Sequence, residues 1–134
     1  MPDPESGEIK SYVEQLIAAT LGGTMKWTQV NPTTYVWDTR VPQPARLSLQ
    51  RLERQELRPS LGQPIPSIQK VHSFVFQAFE SQPGGTLIQR LGIASQENKE
   101  LNQLLDKLFQ TIDQLRTRQS LDFLKNIIPP TKQQ

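Results

Sequence analysis

Cysteine is absent from the 134 residues, and histidine occurs once. The first absence excludes disulfides, thiol nucleophiles, zinc ribbons and iron–sulfur clusters, and the second excludes any multi-histidine metal motif. An excess of one charge is also missing. Fifteen Lys+Arg face thirteen Asp+Glu, a net charge of +2 that is too small for a whole-protein nucleic-acid signature. No apolar run approaches the ~20 residues of a membrane span. The start, Met1-Pro2-Asp3-Pro4-Glu5, is acidic where a secretory signal would be basic. These absences lead to the expectation of a soluble cytoplasmic protein without membrane contact and without a cofactor or metal. Apolar residues are sparse at 35%, yet they recur periodically, which argues against wholesale disorder. One domain over residues 1–134 is expected, burying roughly two-thirds of its unfolded surface, with flexible termini at about 1–5 and 129–134.

Seventeen glutamines are present, and Gln15, Gln29, Gln50, Gln77, Gln103, Gln110 and Gln114 stand inside the periodic segments, where they take the place of charged surface residues. The first such segment places Ile9, Tyr12, Val13, Leu16 and Ile17 on one helical stripe. Asp3-Pro4 or Ser6 can start that helix, and Gly22-Gly23 can stop it. A hairpin follows, with Thr24 to Val30 and Thr34 to Arg40 around Asn31-Pro32-Thr33. Pairing Val30 with Thr34 sets Gln29 against Tyr35, Thr28 against Val36, Trp27 against Trp37 and Lys26 against Asp38. That register places Met25, Trp27, Tyr35 and Trp37 toward the core.

A third strand, Ala45 to about Leu52, alternates Ala45, Leu47 and Leu49 with Arg46, Ser48 and Gln50. Pro59, Gly62, Pro64 and Pro66 make residues 53 to 67 a long connection. Val71 to Glu80 is the fourth strand, with His72, Phe74, Phe76 and Ala78 on one face and Val71, Val75 and Phe79 on the other. Thr86 to Leu91 reads as a short helical turn. Ser95 is the expected cap of a terminal helix whose stripe is Leu101, Leu104, Leu105, Leu108, Ile112 and Leu115. A second stripe of Leu121, Leu124, Ile127 and Ile128 is rotated from the first, implying a bend near Arg116 to Ser120 or a new helix there. Pro129-Pro130 ends it. The fold class is therefore α+β: an N-terminal helix, a four-stranded, mostly antiparallel β-meander, and a long C-terminal helix or helix pair packed on the sheet.

Catalytic constellations find little material. His72 and Ser73 are neighbours on a strand and point to opposite faces, so they make no nucleophile–base pair. Pro83-Gly84-Gly85-Thr86 lacks the lysine of a phosphate-binding loop. Glu97 and Glu100 have the spacing of an ordinary solvated helix face. Two surface features remain. Arg46, Arg51, Arg54 and Arg58 suit phosphates, yet no aromatic residue for base stacking lies between them, which leaves a weak nucleic-acid interaction as the second reading. The apolar sets Val71, Val75, Phe79 and Leu121, Leu124, Ile128 exceed what one sheet face and one helix stripe need. They point to a non-enzymatic interaction or accessory protein that pairs with itself, as a twofold dimer, or with another protein. An enzyme with an unrecognised pocket ranks last.

A helix ending in Gly22-Gly23, then Lys26-Trp27 on a strand and a leucine-rich C-terminal helix, resembles small bacterial proteins of unknown function, and the glutamine-rich composition is similar to that of many cyanobacterial proteins. The resemblance covers residues 9 to 40 and 87 to 128 and implies no activity or site residue.

Overall fold

A run of good helix formers between Pro4 and two glycines sets the first element, α1, Pro4–Leu21. Pro4 fits a first helical turn because its missing N–H would have no helical partner there. Gly23 takes φ 81°, and the N–H groups of Gly22 and Thr24 turn back to the carbonyls of Ala18 and Ala19. Val13 and Ile17 are buried, Ile9 and Leu16 are partly so, and Tyr12 instead stands in solvent with its hydroxyl donating to Glu8. This computed structural model describes residues 4–59, 61–62, 65 and 67–129, and the side chains from residue 7 onward except that of residue 58. The Asp3 and Ser6 start signals and the expected fraying of residues 1–3 and 130–134 lie outside the described residues or side chains.

Five strands, not four, form one antiparallel meander in the order β1-β2-β3-β4-β5. They are β1 Thr28–Asn31, β2 Thr34–Thr39, β3 Ala45–Arg58, β4 Ser67–Ser81 and β5 Leu87–Ala94. The added strand is the segment expected to be a helical turn. Leu87, Ile88 and Leu91 fit a helical spacing, but so short an apolar run also fits a strand. Gly84 and Gly85, at φ 93° and 91°, turn the chain directly back on β4. The expected connection over 53–67 is likewise shortened by strand at both ends, over 53–58 and at Ser67. Arg58 pairs with Ser67, and the ladder runs unbroken to Ala45 opposite Glu80. Polar residues fill this stretch because β2 pairs with β3 only as far as Gln50, and β5 with β4 only from Val75. Beyond those points β3 and β4 continue as a two-stranded ribbon with no further strand beside it among the described residues.

The β1–β2 register is as expected at Thr28↔Val36 and Gln29↔Tyr35, but a bulge at Val30 brings Asn31, not Val30, opposite Thr34. Asn31 Oδ1 accepts from the Thr33 N–H at 3.0 Å, an Asx turn that tightens the connection to two residues. The strand starts only at Thr28, so neither the Trp27–Trp37 nor the Lys26–Asp38 pairing forms, and Asp38 binds Arg46 instead. Met25 and Trp27 still reach the core, from an irregular segment. There the Trp27 indole N–H donates to Thr20 Oγ1 at 3.0 Å, and Thr20 donates onward to the Leu16 carbonyl.

The last element is a single helix, α2, Lys99–Ile127, which passes the region of phase change without interruption. Its cap is Asn98, whose side chain accepts from the Leu101 N–H; Ser95 is not the cap. Ser95 is instead buried, accepting from the Phe74 N–H at 2.9 Å and donating to Asn102 Oδ1 at 2.6 Å. Both helices lie on one face of the sheet. Leu101, Leu105, Leu108, Phe109 and Ile112 join Val13 and Ile17 over Tyr35, Leu49, Phe74 and Phe76. The Phe109 ring sits 5.0 Å from Tyr35 and 5.7 Å from Phe74, in tilted contacts. The opposite face of the sheet carries no helix among the described residues.

Candidate interaction surface

Helix α2 outruns everything it packs on. At 1.5 Å per residue it is about 44 Å long, against about 27 Å for α1. The two helices run parallel. Lys10 pairs with Glu100 near their starts, and Thr20 and Leu21 border the same groove of about 100 Å³ as Leu115 and Gln119 near the end of α1. The Lys10 ammonium holds the Glu100 carboxyl below its ordinary range, through their hydrogen bond and then their charge. Across the sheet, α2 bonds to the His72 carbonyl through Asn102, passes over β2 to β4 at Phe109, and reaches Trp27 at Arg116. Beyond Arg116 every described residue of the helix is exposed.

That tail is nonetheless apolar. Leu121 is 52% exposed, Phe123 62%, Leu124 46%, Ile127 55% and Ile128 61%. Ordinary solvent-facing turns do not concentrate five large apolar side chains in eight residues. At 100° per residue they fill an arc of about 160°, centred roughly a third of a turn from the buried stripe. The sequence reading named Leu121, Leu124 and Ile128 as interface residues and missed Phe123 and omitted Ile127 from that set. A helical wheel of residues 117–128 alone would have found both.

The second expected surface is on the helix-free face. Val71, Val75 and Phe79 stand there half-buried, with no helix over them. Polar partners flank them across the strands: Arg54 beside Val71, Gln50 beside Val75, and Arg46 and Gln89 beside Phe79. Gln77 bonds Gln89 at 3.3 Å across Gly92, where a Cβ would come within 2.4 Å of the Gln89 amide nitrogen. The strip is therefore narrow and edged with amide groups, unlike the continuous apolar arc of the tail.

The arginines do not converge. Arg46 and Arg54 share the helix-free face but lie eight residues apart along β3, about 27 Å. Arg51 is on the other face, its guanidinium 4.8 Å above the Phe109 ring. Arg46 grips Asp38 with two bonds of 2.7 and 3.2 Å, and the Asp38 hydrogen bond raises its pKa. Arg54 bonds Glu56 at 2.5 Å. The Arg58 side chain lies outside the described residues.

A cleft of about 700 Å³ opens between the β2–β3 connection and the β4–β5 turn. Its charged groups include the mutually bound Asp38 and Arg46, together with Arg40. His72 Nε2 lies 3.5 Å from Glu53 on the neighbouring strand, away from that cleft. Among the described residues no three His, Asp or Glu side chains come together as a metal-holding group, and no helix is long and apolar enough to cross a membrane. Set against protein-family models, curated proteins and solved structures, the chain matches none of them.

Proposed function

We propose that this chain is a non-catalytic interaction module that self-associates through apolar surface its own fold leaves uncovered. The observation that carries this reading is the tail of α2, where Leu121, Phe123, Leu124, Ile127 and Ile128 are all about half exposed or more on a helix that has run past both α1 and the sheet. Because these side chains are already about half covered, completing their burial is worth about half of the roughly 1.5–3 kcal/mol of full burial each, and no described part of the chain supplies it. Val71, Val75 and Phe79 offer a narrower second contact. The runner-up, nucleic-acid binding, has less support because the guanidinium groups of Arg46, Arg51 and Arg54 are engaged within the chain.

Sedimentation velocity from submicromolar to hundreds of micromolar tests this. The expected result is a concentration-dependent shift from monomer to dimer. The triple variant Leu121→Ser, Leu124→Ser, Ile128→Ser should stay monomeric while keeping the same helical circular dichroism at low concentration. A wild-type chain that remains strictly monomeric throughout overturns the reading.

A further inference from the structure

Two unfinished features meet at one place. The first is the outer edge of β1, the end strand of the sheet beside β2, whose four residues are all exposed. Thr28-Gln29-Val30-Asn31 has no charge and no proline to protect the edge, which is blunted only by the shortness of the strand and its bulge at Val30. The second is the tail of α2, which leaves the sheet at Trp27, next to that same strand. Phe123 and Ile127 continue the sheet-facing row of Phe109 and Arg116, at spacings of seven and then four residues. Phe109 and Arg116 lie over Tyr35; along the same row Phe123 and Ile127 follow about 10 and 17 Å past Arg116, in the part of the helix whose described residues are all exposed. Leu124 and Ile128 point elsewhere, to the side of α2 opposite Leu115 and Gln119, and so away from α1.

The geometry points to a second copy of this chain, joined by a twofold axis perpendicular to the sheet, with β1 pairing antiparallel to its own counterpart and the two α2 tails lying antiparallel above the junction. This inference rests on the self-association proposed above and names the surface that performs it. One symmetry operation satisfies both features. It supplies main-chain partners for the β1 edge, places strand beneath Phe123 and Ile127, and sets Leu121, Leu124 and Ile128 against the same side chains of the other tail. A separate extended peptide would fill only the edge, and four residues of ladder offer it few hydrogen bonds. The five tail side chains bring on the order of 500 Å² of apolar surface per copy, and the paired strands carry the total toward the roughly 800 Å² per partner of a stable interface. Both sets of helices then share one face, and the helix-free face stays continuous across ten strands.

The absence of cysteine makes the test direct, because one introduced thiol per chain reports one contact. Val30→Cys on the strand edge and Leu124→Cys in the tail should each give a covalent dimer with a short bis-maleimide linker. Asp122→Cys, on the reverse side of the tail, and Val75→Cys, on the helix-free face, should not. Independently, Thr28→Lys with Val30→Lys places like charges at the proposed junction on residues exposed in the monomer. It should weaken dimerisation at least tenfold without changing the circular dichroism of the dilute protein. Efficient linking through Val75→Cys with none through Val30→Cys overturns this interface while self-association stands. So does a Lys variant that dimerises as the parent does. A parent chain that never dimerises removes both proposals.

Discussion

The two halves of α2 share one uninterrupted backbone and differ in what lies under them. From Leu101 to Ile112 the helix buries a stripe against α1 and the sheet, whereas from Thr117 onward every described residue is exposed. Apolar content does not separate them, because residues 121–128, the end of the tail and its C-cap, hold five large apolar residues. Periodicity reports that a face is meant for burial; whether the covering surface belongs to the same molecule is decided by where the neighbouring elements end. Here α1 stops beside Leu115 and the sheet stops at β1, so the same pattern is core on one side of Arg116 and exposed surface on the other.

The largest expected effect breaks that comparison at its covered end. Leu105 is fully buried, and Leu105→Ala should cost about 2–5 kcal/mol of unfolding free energy through lost transfer energy and the cavity left behind. Leu124→Ala, the same chemical change in the tail, should alter the stability of the dilute monomer by less than about 0.5 kcal/mol. Urea unfolding at submicromolar concentration measures both. Similar costs at the two positions would mean that the tail is packed within the monomer, and the contrast between the halves would fall.

Smaller, and aimed at how the covered half is fastened, is Ser95→Ala. Its hydroxyl joins the buried Phe74 N–H to Asn102 near the start of α2, and Asn102 in turn donates to the His72 carbonyl. Removal leaves the Phe74 N–H without its side-chain partner inside the domain, a loss of about 1–3 kcal/mol. Asn98→Ala should cost about 1 kcal/mol, because the cap bond to Leu101 is lost while the packing below remains. Amide exchange would show the Asn98 effect confined to the first turn of α2. An effect of equal size at residues 121–127 would contradict the independence of the tail.

Much of this architecture was legible in the residues. The alternation Ala45, Leu47, Leu49 against Arg46, Ser48, Gln50 gave β3 its faces, and Phe74 with Phe76 gave β4 its own. The glycine stop of α1 and the rotated tail stripe were equally plain. What stayed hidden lies where apolar periodicity says little. The ribbon beyond Leu52 has solvent on both faces, so nothing in Glu53 to Arg58 alternates toward a core. In β5, Leu87, Ile88 and Leu91 satisfy two periods at once, and only the paired glycines before them decide for a strand. The β1 edge was implied only by the expected meander, not by its own residues. Its exposure follows from strand order, which no local pattern in Thr28 to Asn31 encodes.

The last prediction concerns the point where the covered half ends, at Tyr35 beneath Asp113 and Arg116. The Tyr35 hydroxyl donates to Asp113 Oδ1 at 2.9 Å, and the Arg116 guanidinium lies 5.8 Å from the ring centre. Burial first, and then the hydrogen bond to Asp113 and its negative charge, push the phenol up to about 12 from 10.0, with Arg116 and Arg51 opposing. As pH rises above about 10, the unfolded chain gives up this proton while the native chain retains it, so folding loses stability until the native group also ionises near 12. Below pH 10 the raised pKa adds no pH dependence. Tyr35→Phe removes the titration along with the bond, at a neutral-pH cost of about 0.5–1.5 kcal/mol. The stability gap between parent and variant should therefore hold steady from pH 7 to 9 and narrow between 10 and 12, since the other ionisable groups are common to both. Urea unfolding of the two proteins across that range checks it, and a gap that widens in alkali would show that the phenol is not held protonated against Asp113.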